Sequence, residues 1–196
     1  MGIEFEIKFG AAPEICGQIL QDHDLPWQII CMETTYYDTA DGRLSERRYT
    51  LRQRMENGVA VCTVKTPAKD AGRGEWEVEN GSIEAAIPEL CKLGAPEDLL
   101  CLTQAGVIPV CGARFDRHAA AVCFGNTELE LALDQGVLFG GSRQQALCEV
   151  EVELKCGSRE DAITFARLLA AKYGLQREEK SKFRRALSLK EDDHGA

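Results

Sequence analysis

Residues 3–9 alternate strictly, with Ile3, Phe5, Ile7 and Phe9 on one side and Glu4, Glu6 and Lys8 on the other. Side chains along a strand point to opposite faces in turn, so this period of two predicts a strand with one apolar and one charged face. The pattern returns in 148–155, where Glu149, Glu151, Glu153 and Lys155 oppose Val150, Val152 and Leu154. Glu75, Glu77 and Glu79 repeat it, as do Glu128 and Glu130 with Asp134 beyond them. Basic residues follow the same rule elsewhere: Arg52 and Arg54 share a face, Lys65 follows on the next strand, and Arg114 and Arg117 lie further on.

Further strands are predicted at 28–37, 49–55, 59–66, 76–79, 107–110, 113–124 and 129–133. A hairpin turn is expected at Glu56-Asn57-Gly58, and other turns at Asp41-Gly42, Gly125-Asn126 and Gly140-Gly141-Ser142. Helices are predicted at 13–22 behind Pro13, at 83–93 behind a Ser82 cap, and from Pro96 to about Gln104. A further helix is expected at 159–173 behind Ser158, ending at Gly174, with Ala162, Phe165, Ala166, Leu169 and Ala170 on one face, and a last one at 181–189.

One such strand fits any half-exposed sheet, since antiparallel sheets commonly keep one polar face. Several strands with same-face charges and apolar opposite faces fit an α+β fold in which a barrel is polar inside and covered by helices outside.

Composition narrows the picture. A chain of 196 residues suits one domain, expected at 1–190 with a short polar tail at 191–196. The apolar runs are shorter than a bilayer span and the amino terminus is charged, so a soluble, cytoplasmic protein without a membrane partner is expected. The net charge of −9 argues against nucleic acid as the main partner, because phosphate-backbone binding draws on a basic surface. An anionic ligand must then be small and held by a local basic cluster. The nine cysteines are odd in number, include no CxxC pair, and read as reduced and mostly buried small apolar residues.

Glu4-Phe5-Glu6-Ile7-Lys8 resembles the ExExK signature of the CYTH superfamily, the triphosphate tunnel metalloenzymes. The resemblance continues in order through Tyr36-Tyr37-Asp38-Thr39, Leu51-Arg52-Gln53-Arg54, Thr63-Val64-Lys65-Thr66, Glu75-Trp76-Glu77 and residues 149–154. It implies an eight-stranded antiparallel closed β-barrel, the triphosphate tunnel, with helices packed outside. Carried over by position, it implies Glu4, Glu6, Glu149 and Glu151 as ligands of Mg²⁺ or Mn²⁺, hard ions suited to oxygen donors. It implies Lys8, Arg52, Arg54, Lys65 and Arg114 as the anion-binding wall, with Arg117 competing with Arg114 because a bulge would change the parity. Lys182 resembles the family's late lysine near the tunnel mouth. The resemblance further implies Glu75, Glu77, Glu130 and Asp134 as completing an acidic wall, and Glu153 shares the parity of Glu149 and Glu151. Catalysis would fall to Glu4, Glu6, Lys8, Arg52, Arg54 and Lys65.

The activity implied is metal-dependent hydrolysis of a triphosphate, foremost inorganic tripolyphosphate to pyrophosphate and phosphate. Thiamine triphosphatase, a class IV-like adenylyl cyclase and a non-catalytic polyphosphate- or nucleotide-binding module are the alternatives. Expected partners are small triphosphates or polyphosphates, and the sequence leaves the oligomeric state open. Trp76, between two inward glutamates, should point outward into the helical coat. His23, His118 and His194 show no metal-ligand spacing. The loop 69–74 contains no phosphate-loop motif and reads as a flexible turn or lid.

Overall fold

The computed structural model describes residues 2–67 and 73–191, and of residues 2–4, 73 and 191 the backbone alone. The loop centred on 68–72, His194 and the tail beyond Glu191 lie outside the described residues. In chain order the elements are β1 (Gly2–Glu4), β2 (Glu6–Gly10), α1 (Pro13–Asp22), β3 (Gln28–Asp38), α2 (Arg43–Glu46), β4 (Thr50–Glu56), β5 (Val59–Pro67) and β6 (Arg73–Glu79). Then come α3 (Ile83–Lys92), α4 (Asp98–Leu102), β7 (Ile108–Phe124), β8 (Thr127–Gly140), β9 (Arg143–Cys156), α5 (Arg159–Tyr173), β10 (Gln176–Arg177) and α6 (Lys182–Glu191).

Local chemistry explains most boundaries. Asn57 and Gly58 both adopt positive φ, 49° and 92°, which suits the tight turn between β4 and β5. The Ser82 and Ser158 side chains accept hydrogen bonds from the backbone N–H of Ala85 and Asp161, relieving unpaired donors at the starts of α3 and α5. Gly174 takes the left-handed conformation, φ 65°, that closes α5.

The strands form one antiparallel sheet in the order β1-β6-β5-β4-β3-β7-β8-β9-β2-β10. The α+β class holds, but the closed eight-stranded barrel expected from the sequence does not form: the ladder has two ends, β1 and β10, which do not pair with each other. The strand expected at 3–9 breaks at Phe5. Residues before the break pair with β6, and those after it pair with β9. The other edge of β2 is taken by β10, with Gln176 and Arg177 opposite Gly10 and Phe9, and the Glu178 N–H donates to the Lys8 carbonyl. The sheet is therefore curled and open, with one charged concave face.

Two apolar clusters coat its convex face. One joins Ile7, Phe9, Val150 and Val152 to α1 and α5, and the other joins Leu51, Val64 and Trp76 to α3 and α4. Trp76 thus faces the helices as its parity requires. The third cluster departs from the expectation of helices outside only. Ala113, Phe115, Leu138 and Leu147 share the parity of Arg117, Asp134 and Glu149, yet they pack with Phe183 and Ala186 of α6. The last helix therefore enters the concave side and closes one end. A Cβ at Gly140 would stand 2.2 Å from the Ala186 carbonyl oxygen, so glycine permits this approach.

The strands at 107–110 and 113–124 are one continuous β7, and β8 and β9 extend well past the predicted spans. Of the cysteines, Cys16, Cys62 and Cys111 are buried, whereas Cys31, Cys101, Cys123 and Cys156 are exposed, so most are not core residues. All are free thiols.

Candidate functional site

Period-two alternation places Glu6 and Lys8 of β2, Arg52, Arg54 and Glu56 of β4, Lys65 of β5, and Glu75 and Glu77 of β6 around one concave cavity. Arg117 of β7, Glu130 of β8, and Glu151, Glu153 and Lys155 of β9 complete it, and Lys182 of α6 borders its closed end. The cavity has a volume of about 280 Å³.

The inner end is a buried charge cluster. Asp134 and Glu149 have fully buried side chains. The Lys182 ammonium lies 2.7 Å from Asp134, 2.5 Å from Glu149 and 2.7 Å from Glu151. Arg117 makes a two-pronged contact with Asp134, both hydrogen bonds 2.7 Å long, and reaches Glu151 at 2.5 Å. Arg185, one turn after Lys182, pairs with Glu149 and with Glu178. Burial opposes the charge on Lys182, but the carboxylates of Glu151, Asp134 and Glu149 outweigh it and hold its pKa above the ordinary lysine value. Burial likewise pushes Glu151 toward its neutral form, and the attraction of Lys182 and Arg117 overrides this, so its pKa lies well below the usual glutamate range. Arg117 is raised in the same way by Glu151 and Asp134 against burial.

The open part of the cavity is arranged differently. Lys65 stands opposite Glu75 in the ladder, and their charged atoms are 3.2 Å apart. Arg52 approaches Glu75 and Glu77 at 3.6 and 3.7 Å, and Arg54 pairs with Glu56. Burial, and then the charge of Arg52, lower the pKa of Arg54. On the facing wall Glu130, Glu153 and Glu6 are successive cross-strand neighbours in one row. Like charges directly opposite repel, so this row calls for a cation. Lys155 reaches Glu153 at 2.9 Å and Glu130 at 3.6 Å, and Lys8 reaches Glu6 at 3.6 Å.

The structure thus brings together Glu6, Lys8, Arg52, Arg54, Lys65, Glu75, Glu77, Arg117, Glu130, Glu151, Glu153 and Lys182, with Asp134 and Glu149 beneath them. Glu4 is described only in its backbone, opposite Arg73. Arg114 is not brought in: three positions from Arg117 on an unbroken strand, it lies on the other face, with its side chain 67% exposed against 14% for Arg117, and pairs with Glu33 at 2.7 Å. Sequence reading places Glu56 in a turn and Lys155 on a charged face without assigning either to the site, and it passes over Arg185. Glu56 and Lys155 continue the period-two faces of Arg52 and Glu151. Arg185 follows Lys182 by three positions, the spacing that puts two side chains on one helix face.

The sequence matches the CYTH domain family over residues 2–187. A protein from Haemophilus influenzae named inorganic triphosphatase is 29% identical over 174 residues, which cover 85% of this chain and 49% of that protein. The chain therefore spans about half the length of this curated relative. Among solved structures, a Pyrococcus horikoshii protein superposes with a TM-score of 0.64 at 21% identity, over 94% of this chain and 98% of its own. A Hippeastrum protein named for adenylyl cyclase, and described as having a dominant triphosphatase activity, superposes with a TM-score of 0.61 at 18% identity, over 97% of each chain. These likenesses are likenesses of fold. Among the described residues no helix is long and apolar enough to cross a membrane.

Proposed function

This chain belongs to the CYTH domain family, and from that premise we propose that it hydrolyses a triphosphate, with inorganic tripolyphosphate the substrate its site suits best. The observation that carries the reading is a single cavity in which Lys8, Arg52, Arg54, Lys65 and Arg117 meet a row of carboxylates, Glu6, Glu130 and Glu153, with Glu151 beside it. Guanidinium forks and ammonium groups grip phosphate oxygens, while adjacent carboxylates suit a hard divalent ion. The name of the Haemophilus influenzae relative supports the same reaction class.

The donor set fits Mg²⁺ or Mn²⁺ in one part of the site. Glu6 and Glu153, with Glu4 from the same signature, are the residues that would hold it. The tighter group, Asp134, Glu149 and Glu151, already surrounds the Lys182 ammonium, so Asp134 and Glu149 serve to fix Lys182. When bound, the ion would neutralise phosphate oxygens and polarise the bond to be broken.

The chain's own groups do the rest. Arg52, Arg54 and Lys65 bind the phosphate chain and align its terminal phosphorus. Lys182 and Arg117, with Lys8 opposite it in the ladder, hold Glu151 ionised and in place. Water attacks the terminal phosphorus, the bond to the bridging oxygen breaks, and the cations stabilise the charge that develops there. Tyr36, Phe115 and Phe183 line the cavity but are each more than nine-tenths buried, and Trp76 faces the convex side, so little ring surface is open for a base or thiazole to stack on. This favours an inorganic substrate.

The test is turnover of tripolyphosphate, thiamine triphosphate and ATP with Mg²⁺, Mn²⁺ or EDTA, with orthophosphate, pyrophosphate and cyclic AMP separated. Metal-dependent orthophosphate release, fastest from tripolyphosphate, is the expected result. Preference for thiamine triphosphate, or production of cyclic AMP, would refute the substrate assignment. Tight binding of tripolyphosphate without turnover would refute catalysis.

A further inference from the structure

We propose that Cys16 and Cys148 are an oxidation site at which a hydroperoxide forms a reversible disulfide, stapling α1 to β9. Their sulfur atoms are 3.4 Å apart although the residues are separated by 132 positions. The contact is held from several sides. The Ala11 N–H, just before α1, donates to the carbonyl of Cys148 at 3.1 Å. Gln135 stands opposite Cys148 on β8, and its amide donates to the Pro13 carbonyl at 3.4 Å. Hydrogen bonds thus hold the backbone beside the sulfur pair, and the two sulfurs already stand in contact. The inference is independent of the proposed hydrolysis.

The chemistry assigns the two sulfurs different roles. Cys16 is fully buried, whereas Cys148 is half-buried. Burial first, and then the hydrogen bond to Cys148, push the Cys16 thiol up to about 12, so Cys148 is the sulfur a small peroxide engages. The Cys148 sulfur attacks one peroxide oxygen, the O–O bond breaks, the proton of the Cys148 thiol passes to the departing hydroxide, and a sulfenic acid and water form. Cys16 then attacks the Cys148 sulfur and expels hydroxide, which leaves as water with the Cys16 proton. Two thiols lose two electrons in total and hydrogen peroxide becomes two waters. Cys148 directly precedes Glu149, so the bond tethers the strand carrying the inner carboxylates.

The experiment uses the full chain with Cys31, Cys101, Cys123 and Cys156, the exposed thiols, changed to Ser. The reduced protein is treated with hydrogen peroxide, remaining thiols are blocked with N-ethylmaleimide, and peptides are mapped with and without dithiothreitol. The expected product is a linked Cys16–Cys148 peptide pair that dithiothreitol separates, with a thermal midpoint raised above that of the reduced form. The unsubstituted chain should yield the same pair. Oxidation of Cys148 to sulfinic acid with Cys16 still a thiol would overturn the proposal, as would linkage of either sulfur only to another cysteine. A linked pair with an unchanged thermal midpoint would overturn the staple.

Discussion

The two ends of the cavity hold similar residue types in opposite states. At the inner end Lys182, Arg117 and Arg185 sit against Asp134, Glu149 and Glu151, mostly at 2.5 to 2.7 Å, and the Asp134 and Glu149 side chains are wholly buried. In the open wall the Arg54–Glu56 pair is also close, but the contacts from Arg52 and Lys65 to Glu75 and Glu77 run from 3.2 to 3.7 Å, and the Glu77 side chain is 43% exposed. Short, buried, mutually satisfied charges are locked, because any change of partner would strand a desolvated ion. Longer contacts beside solvent lose little when a phosphate oxygen replaces a carboxylate. The inner cluster thus builds the site, and the open wall is the part arranged to exchange partners with a ligand.

The largest way to break this comparison is Lys182→Met, which leaves three buried carboxylates short of a cation. We expect a loss of about 3–5 kcal/mol in urea denaturation; a loss under about 1 kcal/mol would place Lys182 with the exchangeable charges instead. Arg52→Ala, by contrast, should leave the unfolding midpoint near that of the parent while kcat/KM for tripolyphosphate falls about 100- to 1,000-fold. An equal fall in stability would erase the distinction between the two ends.

Acid sharpens it further. Glu151 has a folded pKa depressed below its ordinary value of 4.5, so its contribution is complete above that value and is lost as pH falls through the folded one. Lys182 has the opposite sign: its raised pKa means a contribution complete below 10.5 and lost as pH climbs past the folded value. Denaturation from pH 2 to 11 should therefore show stability falling below about pH 4.5, and Lys182→Met should shift that fall to higher pH. An acid limb identical in both proteins would contradict the coupling. The smallest effect belongs to Arg114→Ala: on the outer face its pair with Glu33 is worth about 0–1 kcal/mol, and hydrolysis should stay within about twofold of the parent.

The concave face was legible because alternation is a local property: once 3–9, 52–54, 75–79 and 149–155 are strands, their charges must share faces. Closure was not legible, since the break at Phe5 and the capture of the β2 edge by Gln176 and Arg177 depend on pairing between distant segments. Arg114 illustrates the same limit, because its parity follows only when β7 is seen to run unbroken from Ile108 to Phe124. The concave position of α6 could not be read from its own residues either. Lys182 is marked only by the family resemblance, and Arg185 looks like a surface charge until Glu149 is placed beneath it.

The most direct test of the account is thermal unfolding of the parent chain and of Arg52→Ala with and without tripolyphosphate in EDTA, which isolates the grip of the cationic wall from turnover. The account requires the parent midpoint to rise with tripolyphosphate concentration and that of Arg52→Ala to rise far less, from the same starting value. Equal shifts in both proteins would show that the ligand is held elsewhere and would contradict the assignment of the open wall.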